Sequence, residues 1–427
     1  MSQKELPKNS KAGEEAYINW LRCYLNKVPS IPTDPVSEPL RSDLTDFEPC
    51  LAKTHTRMLK KSITFILLTI LFSAQGSKTK GLKDIFADSY YIGVALNSRQ
   101  INSSDGKTSS LIENHFNSIS PENGLKWQLV HPEPGRYNFD FGDAYVALGE
   151  KMDAFIVGHC LVWHQQTPRW VYVDENDEPL SKDALISRME EHIEVVAGRY
   201  KGKIHGWDVV NEAFNEDGSF RESDWYNIAG KDFIKAAFLK AQEADPEAEL
   251  YYNDYNVWRA SKRQGILDFA KEMAAEGIKV DAIGMQGHYQ LGSPTLAEIE
   301  QAILDIHEAG FKVAVTELDV DVLPRPRRAE GADLNMNFAN SKEYNPYKDG
   351  ITAEAEAKLA ERYADIFRIF EKHKDKITRV TFWGLGDGYS WLNNFPVRGR
   401  TNYPLLFDRS LEPKTEVIDK IASVVKQ

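Results

Sequence analysis

From residue 77 onward the chain alternates short apolar runs with longer amphipathic stretches, eight of each, with no composition break that would mark a linker. The runs lie near Tyr91–Leu96, Phe116–Ser120, Ala154–His159, Ile204–Val210, Glu249–Asn253, Ala282–Gln286, Lys312–Glu317 and Arg379–Trp383. The runs that carry Glu212 and Glu317 are rich in β-branched residues and turn polar at their carboxyl ends, as buried parallel strands do. Between the runs, Asp183–Arg199, Lys231–Glu243, Lys262–Glu276, Leu296–Glu308 and Ala353–Lys372 place apolar residues at helical spacing. Such alternation predicts a parallel sheet, and eight units predict its closure into a (β/α)8 TIM barrel, one domain over 77–427. Pro324–Gly350 follows the seventh strand without a clear period and reads as a long loop, either shaping a cleft or simply solvated.

The preceding residues read differently. Met58–Gly76 opens on Met-Leu-Lys-Lys, carries a short apolar stretch from Ile63 to Phe72, and ends in Ala74-Gln75-Gly76, which is the layout of a secretory signal peptide. Its apolar core is shorter than the roughly 20 residues that span a bilayer, so no stable membrane span is expected. Residues 1–57 are charged and proline-bearing and look poorly ordered. The expectation is that translation effectively starts at Met58 and that the mature protein begins near Ser77, with a secreted, periplasmic or cell-surface location.

Composition narrows the partners. The 427 residues are 42% apolar and 11% aromatic, ample for a large core, and the formal charge is -12. Residues 1–76 hold 10 Lys and Arg against 8 Asp and Glu, leaving 42 against 56, so the exported domain would stand near -14. That balance disfavours a nucleic-acid backbone, whose binding draws on clustered Lys and Arg. Cys23, Cys50 and Cys160 form no CxxC pair, and no His-rich cluster occurs, so neither a disulfide framework nor a metal site is expected. The chain is expected to be a monomer without a cofactor.

The candidate chemistry sits where the runs end. The second supplies Glu122, Asn123, Lys126 and Trp127, and the third His159, Trp163 and His164. Later ends supply Asn211-Glu212, Asn253 to Asn256, Gln286 to His288, Thr316 to Asp319, and Trp383 to Leu392. The carboxyl edge is where barrel enzymes keep their chemistry. Two carboxylates on different strands, Glu212 and Glu317, suit glycoside hydrolysis, in which one protonates the leaving oxygen and the other captures an oxocarbenium-like sugar. Each residue alone has a plainer reading as a helix cap, an ion pair, turn chemistry or core. Together after seven successive strands they do not read as packing.

The segments WDVVNE, VTELD, GHxLVWH, ENxxKW, QGH and PLLFD, in that form from about residue 90 to 425, resemble the motifs of family 10 glycoside hydrolases, the endo-β-1,4-xylanases. The resemblance implies a retaining mechanism with Glu212 as acid/base and Glu317 as nucleophile, and a substrate of xylan or xylo-oligosaccharide. It implies that Asn211 contacts the sugar 2-hydroxyl, and that Glu122, Asn123, Lys126, His159, Trp163 and Gln286 bind the glycone side. Trp383 and Trp391 would form an aromatic wall over the reacting sugar, with Tyr255 toward the leaving group. His288 and Asp319 would hold Glu317 ionised and aimed. Cys160 departs from the family, which commonly has Thr there. Two other readings stay open: a retaining barrel glycosidase of different specificity, and a sugar-binding protein that has lost catalysis.

Overall fold

The computed structural model describes residues 80–326 and 337–426. The segments 1–57 and 58–76 and the middle of the Pro324–Gly350 loop lie outside the described residues.

Eight parallel strands close into a ring. In chain order the strands are β1 (Tyr91–Leu96), β2 (Ser118–Pro121), β3 (Phe155–Trp163), β4 (Gly206–Asn211), β5 (Glu249–Asp254), β6 (Ala282–Met285), β7 (His288–Gln290), β8 (Lys312–Asp321) and β9 (Ile377–Phe382). Pairing runs β1 through β6, then β6 to β8, β8 to β9, and β9 back to β1. The three-residue β7 stands outside the ring and pairs with β8, setting His288 opposite Asp319.

The principal helices are α1 (Gly106–His115), α2 (Asp140–Met152), α3 (Lys182–Arg199), α4 (Asp232–Ala244), α5 (Ala260–Ala275), α6 (Leu296–Glu308), α7 (Ala353–Lys372) and α8 (Thr415–Ser423). Their starts are written in the sequence. The Ser181 and Thr352 side chains accept from Ala184 and Ala355 N–H, and Thr295 and Glu298 form a reciprocal capping box at α6. Each such cap contributes about 1 kcal/mol by satisfying an otherwise orphaned donor.

Burial follows the pattern read from the sequence. Five of six residues of β1 and nine of ten of β8 are buried, as strands covered on both faces must be. Packing is close enough to dictate small residues. A Cβ at Gly158 would lie 2.1 Å from the Trp207 indole, so only glycine lets β3 pass that ring.

Two strands run four residues past their sequence boundaries. β3 continues past His159 to Trp163, and β8 past Glu317 to Asp321. Register shifts explain both: β3 slips against β4 between His159 and Val162, and β8 against β9 between Val315 and Leu318. A bulge lets a strand carry polar side chains without ending, and it re-aims them. The described ends of the Pro324–Gly350 loop are tied down. Phe338 bridges Val397, Asn345 Oδ1 accepts from Thr401 N–H at 2.9 Å, and Arg325 pairs with Asp321 at 2.7 Å.

Candidate active site

Every strand of the ring brings a polar or aromatic side chain to one rim. Asn97, just after β1, donates to Glu122 after β2 at 3.1 Å. The Lys126 ammonium donates to Asn123 Oδ1 at 3.1 Å and lies 4.7 Å from the Trp163 ring and 5.9 Å from that of Trp383. The His159 ring meets Trp383 edge-on at 5.3 Å and is fixed from behind by Asp208 at 2.9 Å.

Glu212 and Glu317 are the ends of one hydrogen-bonded chain. Glu212 Oε2 accepts from Trp163 Nε1 at 2.9 Å, and Oε1 from Gln286 Nε2 at 3.0 Å. Gln286 reaches Asn211 at 3.4 Å, and Asn253 Nδ2 lies 3.0 Å from Asn211 and donates to Glu317 Oε1 at 2.8 Å. The Asn211 amide can also turn over, its nitrogen then donating to the Asn253 carbonyl at 3.2 Å and its oxygen accepting from Trp163 Nε1 at 3.3 Å. On the far side, Glu317 Oε2 meets His288 Nε2 at 3.1 Å, His288 Nδ1 meets Asp319 at 3.0 Å, and Asp319 accepts from Trp391 Nε1 at 2.8 Å. Tyr255 stands on the opposite flank, its hydroxyl accepting from Arg221 at 2.7 Å.

These surroundings drive the two carboxyls apart. Burial, with the Asp254 charge adding to it, pushes Glu212 up to about 7. Burial alone would raise Glu317 too, but the His288 hydrogen bond and the positive charges around it outweigh that and hold Glu317 below its ordinary value. Burial opposes a charged His288 as well, yet the two flanking carboxylates raise it to about 9. Near neutral pH the ring is therefore an imidazolium with an N–H for each carboxylate; a neutral ring would have only one. A half-protonated carboxyl beside an ionised one is the pairing that lets one group give a proton while its neighbour attacks.

Glu212 also sits in strained backbone, with φ of +58°, a left-handed conformation that costs a non-glycine residue about 1–3 kcal/mol. Such strain persists only where surrounding contacts enforce it.

The fourteen residues given roles by the resemblance belong to this one cluster, whose members are linked by direct contacts or by charge, whereas Trp127 stacks on His192 at 3.7 Å in a separate aromatic group. Burial raises the carboxyl of Glu122, and the nearby Lys126 charge partly offsets it. Several residues with supporting contacts were given no role by the resemblance. Asn253, whose side chain the Thr316 hydroxyl orients at 2.6 Å, bridges both halves of the site. It lay in plain view at the end of β5, but an Asn there reads first as turn chemistry. Asp208 hides inside β4 among apolar residues, and Arg221 comes from a loop with no period. Cys160 is a buried residue of β3, and burial pushes its thiol up.

The chain has relatives. The family model for glycosyl hydrolase family 10 matches residues 81–422. An endo-1,4-beta-xylanase A of Xylanibacter ruminicola is 44% identical over 352 residues, covering 82% of this chain and 95% of that protein. An endo-1,4-beta-xylanase of Geobacillus stearothermophilus is 40% identical over 79% of this chain and 97% of its own length. Among solved structures, a family 10 endoxylanase from a sugarcane soil metagenome superposes with a TM-score of 0.77 at 43% identity, covering 81% of this chain and 99% of that one. A Paenibacillus barcinonensis xylanase complexed with a conduramine derivative gives 0.73 at 36% identity, covering 81% and 99%.

Proposed function

The chain belongs to glycosyl hydrolase family 10 and is an endo-1,4-β-xylanase; from that premise we propose that it cleaves internal bonds of xylan by double displacement, with Glu212 as acid/base and Glu317 as nucleophile. The observation that carries the assignment is the split between the two carboxyls, one raised to about 7 and the other held low, at opposite ends of one hydrogen-bonded chain.

In the first step Glu317 attacks the anomeric carbon while Glu212 transfers its proton to the departing glycosidic oxygen. The bond to that oxygen breaks as the glycosyl ester forms. Esterification removes the charge of Glu317, and Glu212, now ionised, takes a proton from water, which attacks the anomeric carbon and releases Glu317. Asn211 supplies a neutral donor for the sugar 2-hydroxyl. Lys126, Asn123, Glu122, His159 and Gln286 offer the mixed donors and acceptors that a hydroxyl-rich glycone needs. The flat faces of Trp163, Trp383 and Trp391 suit sugar CH groups, and a Trp383 and Trp391 wall over the reacting sugar would disfavour the extra hydroxymethyl of a glucan. Release of reducing ends from xylan, with little from cellulose or mannan, is the expected outcome of a reducing-sugar assay. Binding of xylan without cleavage would overturn the enzymatic reading.

Export is proposed from the 58–76 segment alone. N-terminal sequencing of the protein recovered outside the cytoplasm is expected to start near Ser77. Recovery of intact residues 1–57 on that material would overturn it. Among the described residues no helix is long and apolar enough to cross a membrane.

A further inference from the structure

We propose that Arg221 and Tyr252 are positioning residues that clamp the Glu212–Ala213 peptide from both sides and so fix the direction in which the acid/base delivers its proton. The proposal rests on the reading of Glu212 as proton donor.

The two bonds meet one rigid unit. The Glu212 carbonyl accepts from Arg221 Nε at 2.9 Å, and the Ala213 N–H donates to the Tyr252 hydroxyl at 2.8 Å. Both groups belong to the same planar peptide, so holding its two ends stops it from turning. This is the peptide that leaves the left-handed Glu212, where φ is +58°. Released, a non-glycine residue drifts toward the common backbone regions and carries its carboxyl with it.

The clamp closes into a circuit. Tyr252 donates to Asp254 Oδ2 at 2.6 Å, and Asp254 pairs with Lys262 at 2.8 Å, with both side chains fully buried. The Lys262 ammonium lies 3.8 Å from the centre of the Tyr255 ring, and the Tyr255 hydroxyl accepts from Arg221 Nη2 at 2.7 Å. One guanidinium therefore grips both the main chain of the acid and the ring expected toward the leaving group.

Arg221 is itself well supported. It follows a tight hairpin in which Asn215 N–H donates to Ser219 at 2.8 Å and Phe214 bridges Phe220. The hairpin rests on α5, with Ser261 Oγ donating to the Glu216 carbonyl at 2.7 Å. A Cβ at Gly265 would stand 2.2 Å from the Gly218 carbonyl, so this docking requires glycine.

The charges around Glu212 give the clamp a second signature. Burial raises its carboxyl most and Asp254 adds to this, while the Arg221 charge lowers it. Also facing the region are Tyr255, Lys262 as the partner of Asp254, Cys160, neutral His164, and Glu317 across the Asn211 and Asn253 link. Removing the guanidinium should move the alkaline limb of the pH profile to higher pH.

The test uses the full chain with R221M, R221K and Y252F. It measures kcat/KM on xylotetraose, whose leaving group needs a proton, and on a dinitrophenyl β-xylobioside, whose leaving group does not. All three variants are expected to lose about 10²-fold on xylotetraose, the scale of a misplaced catalytic group, and far less on the aryl substrate. R221M should also raise the alkaline limb, whereas R221K should leave it in place, because an ammonium keeps the charge but cannot reproduce the two-pronged grip. Equal losses on both substrates, or an unmoved limb in R221M, would overturn the clamp. If R221M does not fold, Y252F decides alone by its substrate selectivity. E212A run in parallel separates the two layers. If it loses both substrates equally, the proton-donor assignment falls and the clamp with it; if only the clamp variants lose both equally, the clamp alone falls.

Discussion

Glu317→Ala is expected to lose turnover on xylan and on aryl xylosides alike, by roughly 10⁵-fold or more, the scale seen when a covalent nucleophile is removed. Leaving-group quality cannot rescue a reaction whose bond-forming atom is gone. The fold should survive, because the partners of Glu317 keep one another: His288 retains Asp319 at 3.0 Å, and Asn253 keeps the Thr316 hydroxyl at 2.6 Å. The measurements are kcat/KM on both substrate types together with the thermal unfolding midpoint. A variant that stays folded and keeps measurable turnover of an aryl xyloside would show that Glu317 is not the attacking group.

Glu212→Ala should behave differently. On xylan the loss is expected to reach about 10²–10⁴-fold, the usual contribution of a positioned acid. On a dinitrophenyl xyloside kcat/KM reports only the first step, which needs little acid, so it should stay much closer to wild type. The second step still lacks its base, so the glycosyl-enzyme should accumulate and product should appear as a burst. The pH profile gives an independent reading. Glu212 must be protonated for the first step, so activity of the unmodified enzyme on xylan falls as pH rises through about 7. Glu317 must be ionised, so activity also falls at pH values below the ordinary glutamate range. In Glu212→Ala the alkaline limb near 7 should vanish and the acid limb should remain. Equal losses on both substrates, or a persisting alkaline limb, would reverse the roles or remove them.

Much of this was legible because periodicity reports burial directly. Leu296–Glu308 and Ala353–Lys372 were bounded by the sequence as the structure bounds them, since each begins behind a Thr cap and keeps one apolar face throughout. The strands with shifted registers were the ones misjudged. In β8 the residues Glu317, Asp319 and Asp321 alternate with Leu318 and Val320, so the polar side chains looked like the end of a strand when they were one of its faces. Spacing also says nothing about which distant loop will fold back over a site. Arg221 has no local signature, and Asn253, though it stands at the end of a run, acquires its bridging role only from the partners that the closed ring brings it.

Ring closure has a temporal consequence. β1 finds its second neighbour only in β9, so residues 91–96 wait for residues 377–382 before the sheet loses its free edges. Trp383 and Trp391 arrive with that last strand, and the whole rim, from Asn97 onward, is spread across everything between. A growing chain released short of β9 would carry Glu212 and Glu317 but no wall, no closed cleft and two strands with unpaired edges. Hydrolytic competence is therefore expected only once residues 377–391 have joined the ring.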